Sequence, residues 1–444
     1  MNEPAPLIHK ITRPFRQIIR QESSSGVLLI ISTLIALAWA NSPLAPSYFG
    51  LWETPVSIAI GTEAFTKPLL LWVNDGLMAI FFFAIGLEIK KEVLDGELSS
   101  PAQAALPLLA AVGGMLAPVG LFFLLNGNGV GAEGWGIPMA TDIAFSIGIL
   151  ALLGSRVPLS MKIFLTAFAI VDDLGAILVI TLFYSHEVHL QPLLTSVGVL
   201  GFLFLCNYVL SVKRNWVYLV GGLFVWYYMF KSGIHPTIAG VLVAMSVPAH
   251  NRMRARRFAG TIEEFLDNFR MEAAEEGGPF IPEEELHRIR HIRRTVRSVQ
   301  PPLQRLEYQL SDFVAFFVMP LFALANAGIV LRGGPALLGE PLLAHIALAL
   351  VAGKVSGIFL FSWAGVKLGI ATLPPAFRWA HLIGLGLLGG IGFTMALFIA
   401  NLALQDAALL AQAKLGILIG SAVAGTCGYF LLSATLPKKR PEKG

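Results

Sequence analysis

This sequence is short of charge. Only 14% of its 444 residues are Asp, Glu, Lys or Arg, against about 25% in a soluble domain. That shortage excludes an ordinary water-soluble globule. Cysteine is almost missing as well. Cys206 and Cys427 both fall in apolar runs, with no spacing that suits a disulfide framework or a metal site. The formal net charge is +4, and nothing in its distribution points to nucleic acid as a partner. Long polar stretches are scarce, and residues 249–306 form the one sizeable soluble segment.

What the chain does have is apolar length. It is 55% hydrophobic, with a mean hydropathy of +0.71, and reads as an all-α polytopic membrane protein. A bilayer crossing takes about 20 residues at roughly 1.5 Å each. Apolar runs mark about twelve spans, near residues 26–40, 69–88, 104–125, 136–153, 159–184, 191–211, 215–231, 235–248, 308–331, 342–366, 379–403 and 412–436. Ala38-Trp39-Ala40 resembles a signal cleavage site, but a retained first span fits the topology better.

Basic residues then sort by side. Lys90, Lys91, Arg156, Lys213, Arg214, Lys367, Arg378 and the segments 1–25, 249–306 and 437–444 share one face, while Lys67, Lys231, Arg332 and Lys414 fall on the other. The positive-inside rule makes the first face, with both termini, cytoplasmic. Between the first two spans, Val56, Ile58 and Ile60 alternate before Gly61-Thr62-Glu63. This predicts an extracytoplasmic β-hairpin at about 50–66. An isolated hairpin is marginal in water, so it is expected to pair with another copy. In the 249–306 loop, Leu286, Ile289, Ile292, Val296 and Val299 recur at helical spacing among arginines, a pattern for a basic helix on the inner leaflet.

Two spans are interrupted. The fourth carries Gly134, Gly136, Pro138 and the acid Asp142; the eleventh carries Gly384, Gly386, Gly389, Gly390 and Gly392. They are the middle members of spans 3–5 and 10–12, groups that run in opposite senses. Paired broken helices in inverted three-helix repeats place a binding site at the bilayer midplane. Residues 104–184 and 342–436 are therefore read as the ion-transporting core. Residues 26–103 and 191–331 are read as scaffold.

The chemistry centres on Asp172 and Asp173, adjacent acids in the middle of the fifth span. A charge at that depth costs several kcal/mol, so such residues usually line a pathway. Carboxylate oxygens suit Na⁺ or Li⁺, and protons can neutralise the same groups. The two occupants exclude one another, which is sufficient for exchange. Lys354, among the glycines of the tenth span, needs an acid at equal depth, Asp172 or Asp173. Asp142 lies where half-helix N-termini carry partial positive charge, a place for electrostatic support, and Thr141 and Thr394 can supply hydroxyls at the breaks. Asp75 opens the second span; Glu88 and Glu92 close it, and Glu307 precedes the ninth. These last three acids are placed in a cytoplasmic funnel that attracts cations and responds to pH.

Taken together, these residues resemble the NhaA family of sodium/proton antiporters. The resemblance rests on Ala140-Thr141-Asp142-Ile143-Ala144-Phe145, on Ala169-Ile170-Val171-Asp172-Asp173-Leu174-Gly175-Ala176-Ile177 and on Gly389-Gly390-Ile391-Gly392-Phe393-Thr394-Met395. It runs through nearly all the spans. It implies electrogenic, pH-activated exchange of cytoplasmic Na⁺ or Li⁺ for external protons across a bacterial inner membrane. It implies a transporter and not an enzyme, with no cofactor beyond its transported ions. Asp172 and Asp173 match the family's ion- and proton-binding pair, Lys354 its membrane lysine, Asp142 its acid at the crossing helices and Asp75 an acid of the second span. Glu88, Glu92 and Glu307 match its pH-response cluster, and the 50–66 hairpin its homodimer contact. The 249–306 loop and the residues Tyr308 and Ser311 depart from the family pattern, which leaves the pH set-point open. An intramembrane aspartyl protease is disfavoured because no G-x-G-D string occurs and the two acids share one helix. An organic-solute symporter is disfavoured because few aromatic or Arg side chains accompany the acids.

Overall fold

The computed structural model describes residues 23–60, 63–185, 188–249, 300–331, 340–375 and 377–437. Each of the expected spans is helical. The first is Ser23–Ala40, the second Leu69–Asp95, the third Pro101–Asn126 and the fourth Ala132–Leu152. The fifth, Leu159–Phe183, the sixth, Leu190–Tyr208, and the seventh, Asn215–Lys231, follow. The eighth is Thr237–Ser246, the ninth Pro302–Asn326, the tenth Pro341–Lys367 and the twelfth Ala407–Thr435. The eleventh consists of Trp379–Gly389 and Phe393–Ala403, bent by 46°. The eighth is short because proline bounds it on both sides, with Pro236 at its N-cap and Pro248 just beyond its end.

Local sequence sets the breaks. In the fourth span, Ala132–Met139 winds as a 3-10 helix containing Pro138, Ala140 is extended, and the α-helix restarts at Ile143. In the eleventh, Gly390-Ile391-Gly392 separates the halves. A Cβ on Gly392 would come within 3.1 Å of the Ala140 carbonyl, so glycine is what lets the two breaks approach. The second, ninth and tenth spans each hold a π-helical turn, at Trp72–Leu77, Val314–Val318 and Ala349–Gly353. Such turns shift the side chains after them and recur at functional sites. Lys354 follows directly on the third of these.

The two three-span groups pack on each other. The third and tenth spans are antiparallel, since His345 near the start of one hydrogen-bonds Asn126 at the end of the other, at 3.0 Å. They cross backbone to backbone at Gly113 and Gly357, and a Cβ on Gly353 would lie 2.6 Å from Pro118 Cα. Small residues permit this approach where lipid supplies no hydrophobic drive. Around the crossing, one continuous apolar core includes Phe122, Phe168, Ile391 and Phe398.

The hairpin is present. Strand β1, Pro55–Ile60, pairs antiparallel with β2, Glu63–Pro68, in register Pro55↔Pro68 to Ile60↔Glu63. Its base is closed by Leu69 N–H donating to the Thr54 carbonyl at 2.9 Å. Three boundaries differ from expectation. Residues Ala45–Glu53 form a helix where the sequence reading has a loop, because Tyr48 and Trp52 are buried. Glu307 lies inside the ninth span and does not precede it, since Pro302 starts the helix a turn and a half before the apolar run. Glu88 and Glu92 likewise fall within the second span, which continues to Asp95. The expected basic helix at 283–299, the N-terminal segment before Ser23 and the basic tail after Pro437 lie outside the described residues.

Candidate functional site

Asp172 and Asp173 occupy successive positions on an unbroken helix, so their side chains point about 100° apart. Both are buried, at 0% and 1% exposure, yet their surroundings differ. The Lys354 ammonium donates to both oxygens of Asp172, at 2.8 Å each. Its Nζ also lies 5.6 Å from the centroid of the Phe168 ring, one helical turn before Asp172. Lys354 is itself fully buried. A buried pair of this kind offsets the loss of hydration only while both partners stay in place.

Asp173 has no such partner. Neither of its carboxylate oxygens has a hydrogen-bond partner among the described residues, and both are buried. Asp172, Asp142, Glu88 and Lys354 are the charged groups whose fields reach it. An ionised carboxylate in that position is costly unless a positive charge joins it. The physical alternatives are a bound cation or a bound proton.

Asp142 shows the opposite condition. Its Oδ1 accepts from Phe145 N–H at 2.9 Å, capping the second half of the fourth span. Its Oδ2 accepts from Thr394 N–H at 3.1 Å and from the Thr394 hydroxyl, capping the second half of the eleventh. Two helix N-termini thus meet one carboxylate, the arrangement that best neutralises their partial charges. The carbonyl ends are met too. Thr141 Oγ1 donates to Gly389 O at 2.7 Å, Ser146 Oγ to Leu388 O at 2.7 Å and Asp142 N–H to Ile391 O at 2.6 Å. From the twelfth span, Ser421 Oγ accepts Phe393 N–H at 3.1 Å. Thr141 also lies beside Asp172, which joins the crossing to the paired acid.

Other sequence-predicted residues stand apart from this centre. Asp75 sits in the π turn of the second span, toward the hairpin. Its carbonyl accepts the Trp226 indole N–H at 3.2 Å, and its side chain lies with Lys67, Trp72 and Phe230. On the opposite side of the bundle, Lys91 and Glu307 form an ion pair at 2.7 Å. Glu92 Oε2 accepts Glu97 N–H at 3.0 Å. Glu88 is half-buried between this cluster and Asp173, and feels the charges of Glu307, Lys91 and Glu92. Lys90 donates to the Met245 and Val247 carbonyls, each at 2.6 Å, and so caps the end of the eighth span.

The sequence reading missed Ser146, Ser421 and the capping action of Lys90. A serine or a terminal lysine in an apolar run gives no signal of its partner. Among the described residues, no three His, Cys, Asp or Glu side chains gather as a metal cage. A hollow of about 450 Å³ opens elsewhere, between the first, fourth and twelfth spans. Its lining, including Ile30, Leu34, Phe145, Leu418 and Tyr429, is apolar, and it holds none of these acids.

Comparison with known proteins agrees with this architecture. The family described as "Na+/H+ antiporter 1" matches residues 16–432. A protein named Na(+)/H(+) antiporter NhaA from Oleidesulfovibrio alaskensis is 48% identical over 441 residues, covering 99% of this chain and 98% of its own. Its namesake from Koribacter versatilis is 45% identical over 426 residues, covering 96% and 92%. Another from Yersinia enterocolitica is 43% identical over 434 residues, covering 97% and 99%.

Proposed function

The chain belongs to the Na⁺/H⁺ antiporter 1 family, and on that premise we propose that it is an electrogenic, pH-activated secondary antiporter that exports cytoplasmic Na⁺ or Li⁺ in exchange for external protons. The observation that carries this reading is the contrast at the fifth span, where Asp173 is buried without a hydrogen-bond partner among the described residues, beside the Asp172–Lys354 pair. Asp173 takes either a cation or a proton, and binding one removes the other. A cation that also draws on Asp172 competes with Lys354 for it, and a returning proton allows the pair to re-form. Charge in the site thus controls which face is reachable. Asp142 and Thr141 support the broken helices and do not bind the cargo.

In this reading the Lys90/Lys91 side is cytoplasmic and the hairpin side extracytoplasmic, in a bacterial inner membrane, because basic residues gather on the former. Glu88, Glu92 and Glu307, with Lys91, form the cytoplasmic approach and set the pH response, while Asp75 serves the opposite end of the pathway. The repeats at 104–184 and 342–436 move as the transporting core against the scaffold at 26–103 and 191–331. The hairpin joins two copies into a homodimer, since an exposed two-stranded edge gains stability by pairing.

The test is transport in everted vesicles. Addition of Na⁺ should release protons from the energised lumen, faster at alkaline pH, and the rate should respond to an imposed membrane potential. No Na⁺-dependent proton release at any pH from mildly acidic to alkaline would refute the reading.

A further inference from the structure

Three asparagines from three spans, two of them buried and Asn401 half-buried, form a row that the ion site does not use. Asn326 Nδ2 donates to Asn74 Oδ1 at 2.8 Å and to Phe322 O at 3.0 Å. Asn401 Nδ2 donates to Asn326 Oδ1 at 2.9 Å and to Leu397 O at 2.7 Å. Both amide NH₂ groups use their two hydrogens, so the row has one direction. Turning either amide over would set oxygen against oxygen. Asn74 and Asn326 are 5% and 0% exposed, which makes an unmade bond there expensive.

Their placement gives the row its meaning. Asn74 lies in the π turn near the hairpin, and Asn326 is the last residue of the ninth span. Both belong to the scaffold. Asn401 lies near the hairpin end of the half-helix Phe393–Ala403, whose Thr394 is held by Asp142. Seven residues separate Thr394 from Asn401, about 10 Å along the helix. The row therefore ties the moving half of the eleventh span to the scaffold at its outer end. A second tie lies on the same side, where His235 Nε2 and the Tyr184 carbonyl are 2.8 Å apart, joining the eighth span to the end of the fifth. On the opposite side, the Lys91–Glu307 and Lys90–Met245 bonds run from scaffold to scaffold.

We propose that Asn74, Asn326 and Asn401 form an extracytoplasmic latch, which holds the outer face shut while Asp173 is served from the cytoplasm and parts at Asn326–Asn401 when the core turns outward. The latch rests on the antiporter reading and adds the element that biases its two states. Hydrogen bonds between membrane helices are each worth a factor of about three in an equilibrium. That is enough to favour one state and weak enough to break in every cycle.

The experiment uses full-length chain in proteoliposomes. In one form, Cys206→Ser and Cys427→Ser are combined with Asn326→Cys and Asn401→Cys, and the new thiols are joined by a short, reducible bis-methanethiosulfonate. Joining should lower Na⁺/H⁺ exchange at least tenfold, and dithiothreitol should restore it. Joined protein that exchanges at the unjoined rate overturns the latch. If the double-cysteine chain does not insert, Asn401→Ala in the otherwise natural chain carries the test. The ratio of inner to outer apparent KM for Na⁺ should rise about threefold, because each KM scales inversely with the population of its own state. An unchanged ratio overturns the latch as well. Absence of exchange in the unaltered protein would instead remove the antiporter reading on which the latch depends.

Discussion

Asp142 and Asp173 are acids of the same bundle, buried to the same degree, in opposite conditions. At the helix crossing, Asp142 receives two backbone N–H groups and a hydroxyl. In the fifth span, Asp173 receives nothing from the described residues. Depth in the membrane therefore does not decide what a carboxylate does; the donors around it do. A carboxylate with donors on both oxygens is a fixed part of the structure. One with none is a place where charge can come and go.

The largest expected effect breaks the second half of this comparison. Asp173→Asn should reduce Na⁺/H⁺ exchange in vesicles to background while the protein still inserts, because an amide carries no negative charge to hold a cation and takes up no proton near neutral pH. Exchange at the unaltered rate would remove Asp173 from the site. Next comes the neighbouring pair. Lys354→Ala leaves Asp172 buried without its partner and should destabilise the protein by about 3–5 kcal/mol, seen as earlier thermal unfolding in detergent. Adding Asp172→Asn should recover part of that loss. Equal stability of the single and double variants would show that the pair is not coupled.

The crossing should respond differently. Asp142→Asn keeps one acceptor oxygen for donors from two helices, so a buried N–H loses its partner, at about 1–3 kcal/mol. The expected signature is lower stability with a change in Na⁺ KM smaller than that from any change at Asp173. A large KM effect with unaltered stability would make Asp142 a ligand. The comparison is sharpened by pH. If protons and Na⁺ compete for Asp173, apparent Na⁺ affinity should fall as pH falls, by up to about tenfold per unit. Sodium affinity indifferent to acidity, measured by calorimetry, would contradict competition. Smallest of all, Ser421→Ala removes the cap on Phe393 and should cost about 1 kcal/mol, with exchange retained.

Much of this was visible in the chain. Asp172, Asp173 and Lys354 stand out because an ion in an apolar run demands a reason. Asp142 stands out because glycines and Pro138 interrupt the helix around it. Which acid takes Lys354 was not visible, since helix rotation and the π turn at Ala349–Gly353 decide it. The caps from Ser146 and Ser421 were hidden for a related reason: a serine in a span can equally bond its own preceding turn. The asparagine row depends on three segments meeting, of which Asn326 is more than 250 residues from Asn74. Glu307 was misplaced by hydropathy alone, which registers the apolar part of the ninth span and not the polar turn that Pro302 begins.

Where Gly113 meets Gly357, the third and tenth spans touch through main chain, with no rotatable groups between them. Nothing at that joint can yield gradually. A contact of that kind should make the third and tenth spans move together, so the exchange rate is expected to depend steeply on temperature and on bilayer thickness.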